Sequence, residues 1–174
     1  MTIWDLQGKK ALITGGTRGI GRAIAAEFLE LGAEVIIVAR NEKEVGELVR
    51  LWQAEGRPVS GVVADVSKEA DRERIRAAVA ERWGRLDVLV NNAGTNIRKK
   101  LTDYVEEEYR QVFEVNLFAI IALCRLCQPY LARGNGASVV NIASVAGSVD
   151  VGSGAPYGMS KAALIQLTRN LAAE

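Results

Sequence analysis

The 174-residue chain has no histidine and only two cysteines. A closed four-ligand zinc site draws on histidine and thiolate, so none is expected, and no metal role is assigned to any residue. The two thiols form Cys124-x-x-Cys127. A redox pair of that spacing would open a helix just after a strand. Here the pair falls late in a long helical pattern, one turn apart on one face, and reads as core or interface. Charge of one sign is also missing: 22 basic residues face 21 acidic ones, for a formal charge of +1. A nucleic-acid or anionic-membrane partner would need a basic excess or patch. No apolar run approaches a membrane span, and the opening MTIWDLQGKK has no signal-peptide stretch, so the expectation is a cytoplasmic protein without a membrane partner. Low-complexity linkers and repeats are absent too. At this length one domain with a real core is expected.

What is present is alternation. Lys10–Thr14 (KALIT) is a short apolar run that ends in glycines, and reads as a buried strand. Ile20, Ala23, Ile24, Phe28 and Leu31 then recur at helical spacing as far as Gly32. Further strands are read at 34–39, 58–64, 86–90 and 137–142. Helices are read at 42–55, 68–83, from about Glu106 through a long run that Pro129 should kink or shorten, and at 157–173. Five strands alternating with helices imply an α/β, doubly wound parallel sheet with right-handed crossovers. The continuously apolar strands agree, because a strand covered on both faces need not alternate.

The first strand runs directly into Thr14-Gly15-Gly16-Thr17-Arg18-Gly19-Ile20-Gly21. Glycines let the backbone approach a pyrophosphate, and the helix that opens there presents unpaired N–H groups and partial positive charge. Further on come Asp65-Val66, Asn91-Asn92-Ala93-Gly94, Asn116, Ser144 and Tyr157-Gly-Met-Ser-Lys161, each near the end of an element or inside the long helix. Together these motifs, in this order, resemble the short-chain dehydrogenase/reductase family over nearly the whole chain.

The resemblance implies a Rossmann-type fold with five of the expected seven strands present, so that residues 1–174 form one dinucleotide-binding and catalytic domain, incomplete at its C-terminus. It implies Asn116, Ser144, Tyr157 and Lys161 as catalytic residues. The cofactor would meet Gly15, Thr17, Arg18, Gly19, Ile20, Gly21, Arg40, Asp65, Val66, Asn92, Ala93 and Gly94, besides Tyr157 and Lys161. Asn116 would open the long helix for a water that relays protons from Lys161. Relatives continue into two more strands and a substrate-covering segment, and pair through the long and last helices into dimers or tetramers. Cys124, Cys127, Leu123, Ile120 and Leu164 could line that face, or simply pack in the core.

Part of the chemistry follows from the residues themselves. Tyr157 and Lys161 are four apart and share a helix face. A free phenol titrates near ~10, and an ammonium beside a phenol favours its phenolate. Such a tyrosine can exchange a proton with a carbonyl or alcohol oxygen while a hydride moves to or from a nicotinamide, and Ser144 can hold the same oxygen. The second strand ends Val38-Ala39-Arg40-Asn41, without the acid that would bind a ribose 2′-OH. Arg40, with Arg18, suits a 2′-phosphate, so NADP(H) is the expected cofactor. The substrate class is a small-molecule carbonyl or alcohol, with residues 95–101 and 145–155 bordering its pocket and Arg98-Lys99-Lys100 either solvated or drawing an acid. Other readings are a non-catalytic NADP-binding module or inactive fragment, and a sugar-nucleotide epimerase relative, which would carry a different glycine spacing.

Overall fold

A computed structural model describes residues 4–174. Its elements run β1 Lys10–Thr14, α1 Gly19–Glu30, β2 Glu34–Ala39, α2 Glu42–Ala54, β3 Val59–Val63, α3 Glu69–Arg82, β4 Val88–Asn91, α4 Glu106–Phe113, α5 Ala119–Leu131, β5 Ser138–Asn141 and α6 Ala155–Leu171. The sheet is five-stranded and parallel, in the order β3-β2-β1-β4-β5.

The unbroken apolar strands divide their side chains between two cores. Leu12, Ile36, Val38 and Leu89 point to one face and pack with Ile75 and Val79 of α3 and Leu123 and Cys127 of α5. Ala11, Ile13, Val35, Ile37 and Val90 point to the other and meet Ala25 and Leu29 of α1 and Leu48 and Trp52 of α2. Side chains alternate along a strand, so a run with no polar residue must be covered twice. Register follows: Leu12 lies between Ile36 and Leu89, and Ile13 between Ile37 and Val90. At the N-terminal edge of the sheet, buried Asp87 accepts hydrogen bonds from the Lys10 and Asn135 N–H groups, both at 2.8 Å.

The long helix departs from expectation. It continues two residues beyond Pro129, to Leu131, and is interrupted instead by a π-helical turn at Glu114–Phe118. There the Ala119 N–H bonds the Glu114 carbonyl, five residues back. The continuous stretch Glu106–Leu131 is also long and apolar enough to cross a membrane, by length and composition alone. Its apolar face, Val112, Ala119, Ile120, Leu123 and Cys127, is buried. This corrects the reading that no run reaches span length. Four of the five residues offered for a pairing face also lie inside: Ile120, Leu123, Cys127 and Leu164 are at most 3% exposed, and Cys124 is half-buried. The large apolar groups that α4, the π-turn and α6 leave outside are Tyr109, Phe118, Met159 and Leu171.

Strand order reverses between β1 and β4, since the chain winds outward from β1 to β3 and then returns to the other side of β1. In an open parallel sheet the loops diverge at that point and leave a crevice beyond the carboxyl ends of the strands.

Candidate active site

The glycine turn follows β1 at this crevice. A Cβ on Gly21 would stand 2.2 Å from the Gly15 carbonyl oxygen and 2.4 Å from Asn92 Nδ2, so the turn closes only on a glycine. Gly19 differs: its φ of +55° is left-handed, and a Cβ there would meet nothing within 4 Å. The backbone is thus bare where α1 begins. No side chain caps α1, and its first turn carries no acid. Its free N–H groups and positive dipole end are what a pyrophosphate requires. Ile20 projects into solvent beside them.

The opposite wall is the turn after β4. The Thr14 hydroxyl accepts from both the Asn92 and Ala93 N–H groups at 3.0 Å and donates to the Val90 carbonyl. Asn92 Nδ2 donates to the Thr14 and Gly15 carbonyls. Asn92 therefore fastens β4 to the glycine turn, while Gly94 lies open beyond it. Sequence reading quoted Thr14 without giving it a role. A hydroxyl ending a buried apolar strand was the available signal, since buried polar groups need partners.

On the other flank of the crevice, Arg18 and Arg40 are exposed and make no ion pair among the described residues. Glu44 ties their chain neighbours together. Thr17 Oγ1 donates to Glu44 Oε2 at 3.0 Å, and Asn41 Nδ2 donates to Glu44 Oε1 at 3.2 Å. Asn41 also caps α2. Asp65 Oδ1 accepts from the Ser67 backbone N–H and hydroxyl. Val66 has its side chain in the core and its carbonyl bonded to Arg72, which leaves half-buried Asp65 as the more accessible of that pair.

At the far end, α6 begins two residues earlier than the sequence suggested, with Pro156 in its first turn, where a missing N–H does no harm. Tyr157 is in that turn and Lys161 one turn on. Lys161 is 4% exposed, its Nζ lies 5.8 Å from the centroid of the Tyr157 ring, and it donates to the Ile142 carbonyl at 2.7 Å. Burial holds its pKa below the ordinary lysine value. Ser144 caps the short turn Val145–Gly147, its Oγ accepting from the Ala146 N–H at 3.2 Å. Asn116 occupies the π-turn and is fully buried. Its Oδ1 accepts from the Thr95 N–H, and its Nδ2 donates to the Thr95 carbonyl and to Ser160 Oγ. Ser160 and Thr95 had not been singled out. Ser160 lies three residues after Tyr157, on the stripe it shares with Lys161 and Leu164, and helical spacing alone could have found it.

The expected substrate-bordering segments do line a cavity of about 920 Å³, which includes Arg98, Lys99, Lys100, Val149, Asp150 and Met159. Its α6 wall is Ala155, Gly158, Met159 and Ala162, the stripe opposite Tyr157, Ser160, Lys161 and Leu164. Ser144, Tyr157 and Lys161 are not among its lining residues, although their chain neighbours Ala146 and Gly158 are. Lys99 is moreover paired with Glu108, at 2.5 Å.

Comparison with known proteins agrees with this geometry. Residues 9–174 match the short chain dehydrogenase family. A tropinone reductase homolog of Arabidopsis thaliana is 45% identical over 172 residues, 98% of this chain and 65% of the relative. The chain thus spans just under two thirds of that relative's length. Among solved structures, RhlG of Pseudomonas aeruginosa in complex with NADP aligns over 98% of this chain and 69% of its own, with 39% identity and a TM-score of 0.89. A short chain dehydrogenase/reductase of Burkholderia phymatum in complex with NAD aligns over 97% and 60%, with 33% identity and a TM-score of 0.91. On its sequence match and its parallel sheet alike, this chain belongs to the short-chain dehydrogenase/reductase family of oxidoreductases.

Proposed function

We propose that the protein interconverts a small-molecule ketone and a secondary alcohol with NADP(H), Tyr157 being the general acid and base. The observation that carries this reading is the buried Lys161 ammonium beneath the half-buried Tyr157 ring, on a helix face stitched to the π-turn asparagine. When bound, the cofactor supplies or accepts the hydride. In the reducing direction Tyr157 gives its phenolic proton to the substrate oxygen, and Lys161 stabilises the phenolate left behind. The Ser144 hydroxyl hydrogen has no acceptor among the described residues, so it is available to the same oxygen.

Gly15, Gly19, Gly21, Asn92, Ala93 and Gly94 would form the cofactor bed, with Thr17 and Ile20 at its rim. Ala39 at the end of β2 and the unpaired Arg18 and Arg40 support NADP(H) over NAD(H). Exposed Tyr109, Phe118 and Met159 support a homodimer or homotetramer of the completed chain. The test extends the chain to the length of its relatives and screens ketones by NADPH absorbance. Turnover that Tyr157→Phe nearly abolishes while NADPH still binds is the expected result. NADPH binding without turnover on any ketone or alcohol would make the protein a non-catalytic cofactor-binding module.

A further inference from the structure

Asn116 and the start of α6 meet through one buried hydroxyl. Ser160 is fully buried; its Oγ accepts from Asn116 Nδ2 at 3.1 Å and donates to the Tyr157 carbonyl at 2.8 Å. Both Asn116 Nδ2 hydrogens are thereby used, one on Thr95 and one on Ser160, and Oδ1 is used by the Thr95 N–H. Thr95 alone would hold the amide by one edge. Ser160 supplies the third point, and the only one of the three on α6. Gly94 lies between the same groups: a Cβ there would stand 3.4 Å from Asn116 Oδ1 and 3.8 Å from Lys161 Nζ.

We infer that Ser160 is a positioning residue of the catalytic face, fixing the Asn116 amide of the π-turn to the first turn of α6 and thereby the placement of Tyr157 and Lys161. A structural serine facing the core would need only one partner, and helical serines commonly take a carbonyl of the preceding turn. Ser160 does that and also receives a bond from another element. A π-turn in an otherwise α-helical run is less regular than its surroundings and commonly marks function. An external bond at its central residue restrains it. Removing the hydroxyl leaves a buried amide hydrogen without an acceptor and lets the turn and α6 move separately.

This inference rests on the catalytic reading of Tyr157, and the two fail separately. The first measurement is free of turnover: hydrogen exchange of the Asn116 side-chain amide by NMR in the completed chain. Slow exchange that Ser160→Ala accelerates is expected; equal exchange in both overturns the proposal, whatever the enzyme does. The second is kinetic. Ser160→Ala should lower kcat about tenfold, the loss of one buried hydrogen bond, while the cofactor Kd by calorimetry stays within about twofold. Added to Asn116→Ala, it should lower kcat no further, because it acts through that amide. If Ser160→Ala does not fold, Ser160→Cys fills the same space with a poorer hydrogen-bonding group and should still lower kcat. Unchanged kcat, an effect additive with Asn116→Ala, or equal losses of kcat and cofactor affinity would each overturn the role.

Discussion

At Lys161, burial removes water from an ammonium that donates to the Ile142 carbonyl. Its folded pKa lies below the unfolded value of 10.5, so the folded state binds its proton less readily. The resulting penalty on stability is fully present below the folded pKa and vanishes as pH rises towards 10.5. Lys161→Met should therefore melt higher than the unsubstituted chain at neutral pH, with a gap that closes on the alkaline side, and should lose turnover. Calorimetric scans across pH measure this; a variant that melts lower at neutral pH removes the argument. Burial acts oppositely on Cys127, whose thiol is pushed up to about 12. Cys127 should resist maleimide in the folded protein at neutral pH and react on unfolding, a result mass spectrometry can read. Arg40→Ala should weaken NADPH roughly tenfold or more and spare NADH, since a charge-assisted hydrogen bond contributes ~1.5–3 kcal/mol. Equal losses for both cofactors in calorimetry would place the 2′-phosphate elsewhere.

Among the elements, legibility followed covalent neighbourhood. β1 and β2 match the ranges read from their apolar runs, because strands covered on both faces carry no polar residue between their ends. β4 begins two residues later than its apolar run, since the Leu86 N–H turns to the Tyr130 carbonyl and Asp87 is drawn into tying the sheet edge. The π-turn left no local pattern either; only the family resemblance implied an opening at Asn116, whose partners Thr95 and Ser160 lie 21 and 44 positions away. Of the site, the glycine turn and the Tyr157–Lys161 pair were readable as local patterns. Thr14 and Ser160 left local signals of burial, but the partners that they and Glu44 reach across separate elements were not legible. Packing makes its own prediction. Leu12 is fully buried between Ile36 and Leu89, so Leu12→Ala should destabilise the domain by about 2–5 kcal/mol in urea titration. A change below ~1 kcal/mol would mean that the central strand tolerates a void there.

For the molecule as a whole, the outer edge of β5 matters most. β5 pairs only with β4 among the described residues, and Val139 and Val140 are 38% and 41% exposed. ASVVNI is β-prone, uncharged and free of proline, a profile that invites pairing with another chain. The 174-residue chain should therefore associate in light scattering, and Val139→Lys should shift it towards monomer. A monodisperse 174-residue chain would show that the β5 edge does not drive pairing.

The reversal of strand order also has a consequence in time. The two walls of the crevice meet through Thr14 and Val90, 76 residues apart in the chain. A growing polypeptide can pair β1 with β2, and β2 with β3, long before β4 has been synthesised, but no cofactor bed exists until β4 returns to β1. Late, non-local pairings of this kind slow folding, because loop-closure entropy must be overcome before the contact forms. A dinucleotide that binds only the assembled crevice acts as a ligand of the last folding step. At a hundred times its Kd it would favour the finished state by about 2.7 kcal/mol. In a cell, cofactor supply would then govern how much of this protein survives quality control, apart from how fast it turns over.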